Sequence, residues 1–153
     1  MTEDTKFENI LVPFDGSEYS IKALEYGAIM AKGFKSKLIA LYVIPSSIRY
    51  NLFLNKEENS KINSPFNQII QVSYIEAHNW LKDMTKKINI EIVTEVIIAD
   101  ESIFSEIIEF AERENKDLII MGTRGRTGFK KLLLGSVASG VINFAHCPVL
   151  VIR

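Results

Sequence analysis

The sequence predicts an α/β protein: one sheet of five parallel strands with helices on both faces. Three observations carry that expectation. Apolar runs of strand length alternate with stretches of helical periodicity, in the order β-α-β-α-β-α-β-α-β, with no internal repeat and no linker across 153 residues. The clearest runs are almost wholly apolar, as strands covered on both faces are. A glycine-rich string follows the fourth run directly, at the kind of strand-to-helix junction where open sheets of this type hold ligands.

Element by element, Ile10 to Phe14 reads as a buried strand that turns at Asp15-Gly16, with Pro13, which lacks an N–H, near its end. Ser17 is placed to cap a helix carrying Ile21, Leu24, Ala28 and Ala31 at helical spacing, with Gly33 as its stop. Lys37 to Ile44 is the second strand, ended by Pro45-Ser46-Ser47. Residues 45–64 are polar and aperiodic. A connection that long is uncommon in a compact domain, and it reads either as a disordered insert or as a lid. Ser64-Pro65 then opens a long helix whose apolar face runs from Phe66 and Ile69 through Ala77, Trp80, Leu81 and Met84 to Ile88. Glu91 to Ile98 alternates partially, which suits a sheet edge. Ser102 caps a helix with Ile103, Ile107, Ile108 and Ala111 on one side. Leu118 to Met121, Ser136 to Ala145 and Val149 to Ile152 complete the series as strand, helix and strand, with Ser136 read as the cap of that helix. The whole chain, 1–153, is expected to be a single domain.

The string Met121-Gly122-Thr123-Arg124-Gly125-Arg126-Thr127-Gly128, followed by Gly135-Ser136-Val137, carries the chemistry. Glycines let backbone N–H groups approach a ligand with no Cβ between them, and a helix N-terminus favours an anion. Arg124 and Arg126 lie within the loop, either touching phosphate or solvated. The reading is a phosphate cradle with a nucleotide as its leading ligand. The carboxyl ends of strands one, two and four bring Pro13 and Asp15, Val43 and Ile44, and Gly122 onward to one edge of the sheet. Asp15 is read as a ligand contact, or structurally as an Asx-turn former or a cap competing with Ser17.

These residues resemble the universal stress protein family. Its nucleotide motif, Gly-x2-Gly-x9-Gly-Ser/Thr, falls on Gly122, Gly125, Gly135 and Ser136 without a gap. Ile10-Leu11-Val12-Pro13-Phe14-Asp15-Gly16-Ser17 and Cys147-Pro148-Val149-Leu150-Val151-Ile152-Arg153 are similar to the family's two ends. The resemblance implies a flavodoxin-like (adenine nucleotide alpha hydrolase-like) fold, usually a homodimer, whose ATP-binding members hold nucleotide in this crevice. By position it places Pro13 and Asp15 at the adenosine end, with the Val43 backbone on the adenine. Met121 and Gly122 flank the ribose and phosphates, and Gly125, Gly135, Ser136 and Val137 cradle the triphosphate. The implied cofactor is ATP, or ADP or AMP, with magnesium touched by Asp15 or Ser136.

Composition allows this reading. Hydrophobic residues at 47% and charged residues at 24% are ordinary for a globular protein, and a net charge of -1 gives no electrostatic reason to propose nucleic acid or a membrane surface as partner. A single cysteine, Cys147, excludes an intrachain disulfide and fits a reducing compartment. The acidic start does not read as a signal peptide, and no apolar stretch approaches the ~18 residues of a spanning helix, so a cytoplasmic location is expected.

Other motifs point to less. Adjacent His146 and Cys147 make a poor metal site without further ligands nearby. Lys130 and Lys131 read as a solvated face, His78 as a surface or packing residue, and Trp80 as core. Gly-x4-Gly-Lys-Ser/Thr does not occur, and the first strand–helix turn, Asp15-Gly16-Ser17-Glu18, lacks Gly-x-Gly-x-x-Gly. No residue announces itself as a base that positions water, so binding is better supported than turnover. The leading expectation is a nucleotide-responsive regulatory module acting on an unidentified client protein. The alternatives are a slow ATPase or nucleotide-dependent enzyme, and an interaction dimer paired through the strand Pro148 to Ile152.

Overall fold

The computed structural model describes residues 6–45, 65–125 and 134–153, with the backbone alone for 65–72. The expected alternation is present: β1 Asn9–Pro13, α1 Glu18–Phe34, β2 Lys37–Ile44, α2 Pro65–Thr85, β3 Val93–Ile98, α3 Ile103–Arg113, β4 Leu118–Gly122, α4 Ser136–Phe144 and β5 Val149–Ile152. All neighbouring strands pair in parallel, in the order β3-β2-β1-β4-β5. The chain builds outward from β1 to β3, then returns to lay β4 on the other side of β1. That reversal is the topological switch point of a flavodoxin-like α/β sheet.

Strand periodicity divides the core into two layers. Ile10 and Val12 of β1 face Ala23, Leu24 and Ala28 of α1 and Leu81 of α2. Leu11, between them, joins Leu41 of β2 and Ile119 of β4 against Ile107 and Phe110 of α3 and Val141 of α4. Trp80 packs in the first layer, its ring 5.6 Å from Phe14 and 5.1 Å from Tyr42. β3 lies at the sheet edge, as its partial alternation suggested.

Several boundaries shift by a few residues, β3 starting at Val93 and α2 ending at Thr85, and two further differences bear on packing and on the site. Gly33 does not end α1; it lies inside the last turn, and Lys35 takes the left-handed cap position at φ 59°. The reason is tertiary. The N–H groups of Lys35 and Ser36 both return to the Ala31 carbonyl, Ser36 Oγ donates to the Phe7 carbonyl, and Phe34 meets Phe7 edge-on at 5.5 Å. Ser136 is not a cap. It is the first helical residue of α4, and Gly135 holds the cap position with extended backbone and no side-chain bond.

The carboxyl ends of the central strands diverge. β1 and β4 pair only at Ile10–Leu118 and Leu11–Ile119, although β1 continues to Pro13 and β4 to Gly122. Beyond that point each strand keeps to its other neighbour. Phe14 N–H donates to the Leu41 carbonyl of β2 at 2.8 Å, and Thr123 N–H donates to the Ile152 carbonyl of β5 at 2.9 Å. The two strands therefore peel apart and leave a crevice between them.

Candidate nucleotide-binding site

A cavity of about 310 Å³ opens in that crevice. Ten of the residues singled out from the sequence line it: Pro13, Asp15, Val43, Met121, Gly122, Arg124, Gly125, Gly135, Ser136 and Val137, whereas Ile44, also expected at this edge, is buried in the layer with α1 and Leu81. Arg126, Lys130, Lys131 and the segment 46–64 lie outside the described residues.

The β1–α1 turn is built by its own side chains. Asp15 Oδ1 accepts from the Ser17 N–H at 2.9 Å, an Asx turn, and Gly16 supplies the positive φ of 79° that the chain needs there. Ser17 Oγ accepts from the Ser20 N–H at 3.2 Å and caps α1. Asp15 thus forms the turn and also lines the cavity, while Ser17 holds the cap.

The motif glycines are there for close approach, since none of Gly122, Gly125 and Gly135 has a positive φ. A Cβ on Gly122 would lie 2.5 Å from Tyr19 Cβ and 2.8 Å from the Tyr19 carbonyl carbon, so this glycine lets α1 dock on β4. At Gly125 a Cβ would meet Asp15 Oδ2 at 2.8 Å. At Gly135 it would stand 3.2 Å from the Thr123 carbonyl oxygen and 3.5 Å from Arg124 Cα.

The start of α4 has the character of an anion site. Ser17 and Ser102 cap α1 and α3 with their hydroxyls, but Gly135 brings no side chain to α4. The first-turn N–H groups of α4 have no intrahelical acceptor, and Ser136, Val137 and Ala138 of that turn line the cavity. Half-buried Arg124 lines the cavity, its guanidinium 5.9 Å from the Tyr19 ring centroid.

The cavity also has an apolar wall that strand polarity alone does not point to, made by Ile103 and Ile107 of α3, Leu41, and Pro45 beyond β2. The Ser102 cap was the available signal. A helix beginning just after a strand's carboxyl end puts its first turn at the same edge as the ligand crevice.

The remaining candidates lie elsewhere. His146 Nε2 is 3.0 Å from the Lys116 carbonyl oxygen, and among the described residues no three His, Cys, Asp or Glu side chains gather as a metal site. Burial, and secondarily the charge of Asp117, pushes the Cys147 thiol above its ordinary pKa. Half-buried His78 stacks on Tyr74 at 6.0 Å. No helix among the described residues is long and apolar enough to cross a membrane.

Comparison with known proteins agrees with the fold. The model of the universal stress protein family matches residues 6–153. The chain belongs to that family. Universal stress protein MJ0531 of Methanocaldococcus jannaschii is 37% identical over 147 residues, covering 96% of this chain and 82% of the relative. Among solved structures, universal stress protein UspA from Lactobacillus plantarum superposes with a TM-score of 0.75 at 22% identity, over 98% of this chain and 100% of its own. The universal stress protein from Archaeoglobus fulgidus, solved in complex with dAMP, superposes at 0.62 with 20% identity, over 96% and 98%. These likenesses at low identity carry the fold, while the family membership of this universal stress protein rests on the sequence match.

Proposed function

We propose that this universal stress protein binds an adenine nucleotide, ATP with magnesium in the first place and ADP or AMP in the same site, and acts as a nucleotide-responsive regulatory module. The observation that carries the reading is the crevice between β1 and β4, into which the uncapped start of α4 faces beside Gly125 and Arg124. Its composition suits the two halves of such a ligand. The apolar side, with Leu41, Val43, Ile103 and Ile107, suits a base, and the helix start with the arginine suits phosphates. That a solved family member holds dAMP supports an adenine nucleotide as the ligand class.

Magnesium fits as an ion held mainly by phosphates. Asp15 is the one carboxylate among the described lining residues, and Ser136 supplies a hydroxyl, a donor set suited to an ion that keeps waters and shares the nucleotide. Magnesium there would neutralise phosphate charge. The reading is of binding, with hydrolysis slow at most, because Asp15 already has Oδ1 engaged in the turn. The chain acts as one cytoplasmic domain, paired with a second copy through β5, where the edge-strand residue Leu150 is 37% exposed. An unidentified client reads the nucleotide state, which requires that ATP and ADP favour different conformations.

The test is to denature freshly purified protein and identify released nucleotide by mass spectrometry, then titrate the emptied protein with magnesium-ATP by calorimetry. Nucleotide near one per chain, or saturable binding, is the expected result. An empty protein that also fails to bind in the titration removes the reading.

A further inference from the structure

Tyr19 is the second residue of α1, and its position is set from two sides. The Ser17 cap and the Asp15 turn fix the start of the helix. Gly122 removes the Cβ that would otherwise meet Tyr19 Cβ at 2.5 Å, its carbonyl carbon at 2.8 Å and its carbonyl oxygen at 3.0 Å. Two of those three atoms are backbone and the third is Cβ, so the root of the Tyr19 side chain is held against β4. Arg124 lies two residues beyond Gly122. Its Cα is beside the start of α4, 3.5 Å from the Cβ position of Gly135, yet its guanidinium ends over the Tyr19 ring, 5.9 Å from the centroid. The side chain, which lines the cavity, thus runs from beside the start of α4 to Tyr19 on α1. A half-buried aromatic face under a guanidinium holds it by cation–π attraction.

We infer that Tyr19 is a positioning residue that holds Arg124 in the cavity lining, as a second cationic point apart from the α4 N-terminus, and so favours nucleoside di- and triphosphates over monophosphates. The inference rests on the nucleotide reading of the crevice. One phosphate on the helix start leaves Arg124 unused, whereas a chain of two or three reaches it. Gly122 then acts on the ligand indirectly, by admitting Tyr19.

The experiment is calorimetric titration of the full chain with magnesium-ATP and with AMP, for wild type, Tyr19→Phe, Tyr19→Leu, Arg124→Ala and the Tyr19→Leu/Arg124→Ala double variant. Tyr19→Leu keeps the Cβ that packs on Gly122 and should lower ATP affinity about five- to tenfold while AMP stays within about twofold. Tyr19→Phe, which keeps the ring face, should match wild type. The double variant should bind ATP no more weakly than Arg124→Ala alone. An equal loss for ATP and AMP, a Phe variant as weak as the Leu variant, additive losses in the double variant, or an ATP-to-AMP ratio untouched by Arg124→Ala would each overturn the assignment. Wild type binding neither nucleotide would remove the nucleotide reading itself. Wild type binding ATP, with Tyr19→Leu unchanged, would remove only the role of Tyr19.

Discussion

The amide of Gly135 donates to the carbonyl of Thr123 at 2.6 Å and closes the neck of the glycine-rich loop. One bond thereby sets the distance between the end of β4 and the start of α4, the two backbone walls of the candidate phosphate site. Thr123 N–H in turn reaches the Ile152 carbonyl, so the neck is tied to the last strand as well.

Gly135→Ala tests that neck. Its Cβ would stand 3.2 Å from the Thr123 oxygen, tighter than ordinary contact, and the short bond leaves that oxygen little freedom to retreat. We expect nucleotide affinity to fall at least about tenfold with a stability loss of only ~1 kcal/mol, read by titration and urea unfolding. Affinity equal to wild type would show that the neck geometry is immaterial to the ligand.

Gly122→Ala should behave differently, because its Cβ would press on the Tyr19 backbone. Overpacking a helix against a strand is expected to cost about 1–3 kcal/mol, lowering the urea midpoint whether or not nucleotide is present. A wild-type midpoint would contradict the steric role given to this glycine.

Gly125→Ala provides the contrast. The atom in the way is Asp15 Oδ2, the end of a side chain rather than backbone. Stability should change by less than about 1 kcal/mol while magnesium-ATP affinity drops as the carboxylate is displaced. Asp15→Ala should weaken binding less than Gly125→Val, which puts bulk where phosphate approaches backbone. The reverse ranking would reassign the two residues.

Cys147 should be a poor nucleophile. Burial first, and the charge of Asp117 second, raise its thiol pKa, so less thiolate is present than in the unfolded chain. Iodoacetamide at about pH 8 should alkylate native protein more slowly than urea-unfolded protein. Linkage gives the sign for stability. A thiol whose native pKa exceeds its unfolded value contributes stability that is fully present below the unfolded pKa and is lost as pH rises through the native one. Cys147→Ala should therefore flatten the alkaline part of the stability profile, and an unaltered profile would contradict the shift.

Leu150→Lys should dissociate the proposed dimer in sedimentation experiments, since it charges an exposed edge strand. A variant that remains dimeric would move the interface away from β5.

Much of the fold was readable from local pattern. Lys37–Ile44 is a strand from its run of apolar residues, Ser102 caps a helix because its hydroxyl precedes one, and Pro65 opens another. The convergence of Pro13, Val43 and Gly122 at one edge came from strand polarity in a parallel sheet. Less readable was anything requiring a partner far along the chain. Gly122 resembles a ligand-approach glycine in sequence, and only contact with Tyr19, 103 positions earlier (122 − 19), shows that it is a packing glycine as well. Ile103 and Ile107 look like ordinary core positions until the start of α3 is seen beside the crevice.

By itself the sequence determined the order and type of the elements, the parallel sheet, and the spacing Gly122, Gly125, Gly135 and Ser136, because periodicity, capping and turn chemistry act over a few residues. Tertiary structure alone decided that β1 and β4 part after Leu11 and Ile119, that Gly135 and not Ser136 occupies the cap position of α4, and that Arg124 rests on Tyr19. Each of these depends on which neighbour a strand end or side chain finds once the layers have packed, a choice among long-range contacts that no local pattern contains.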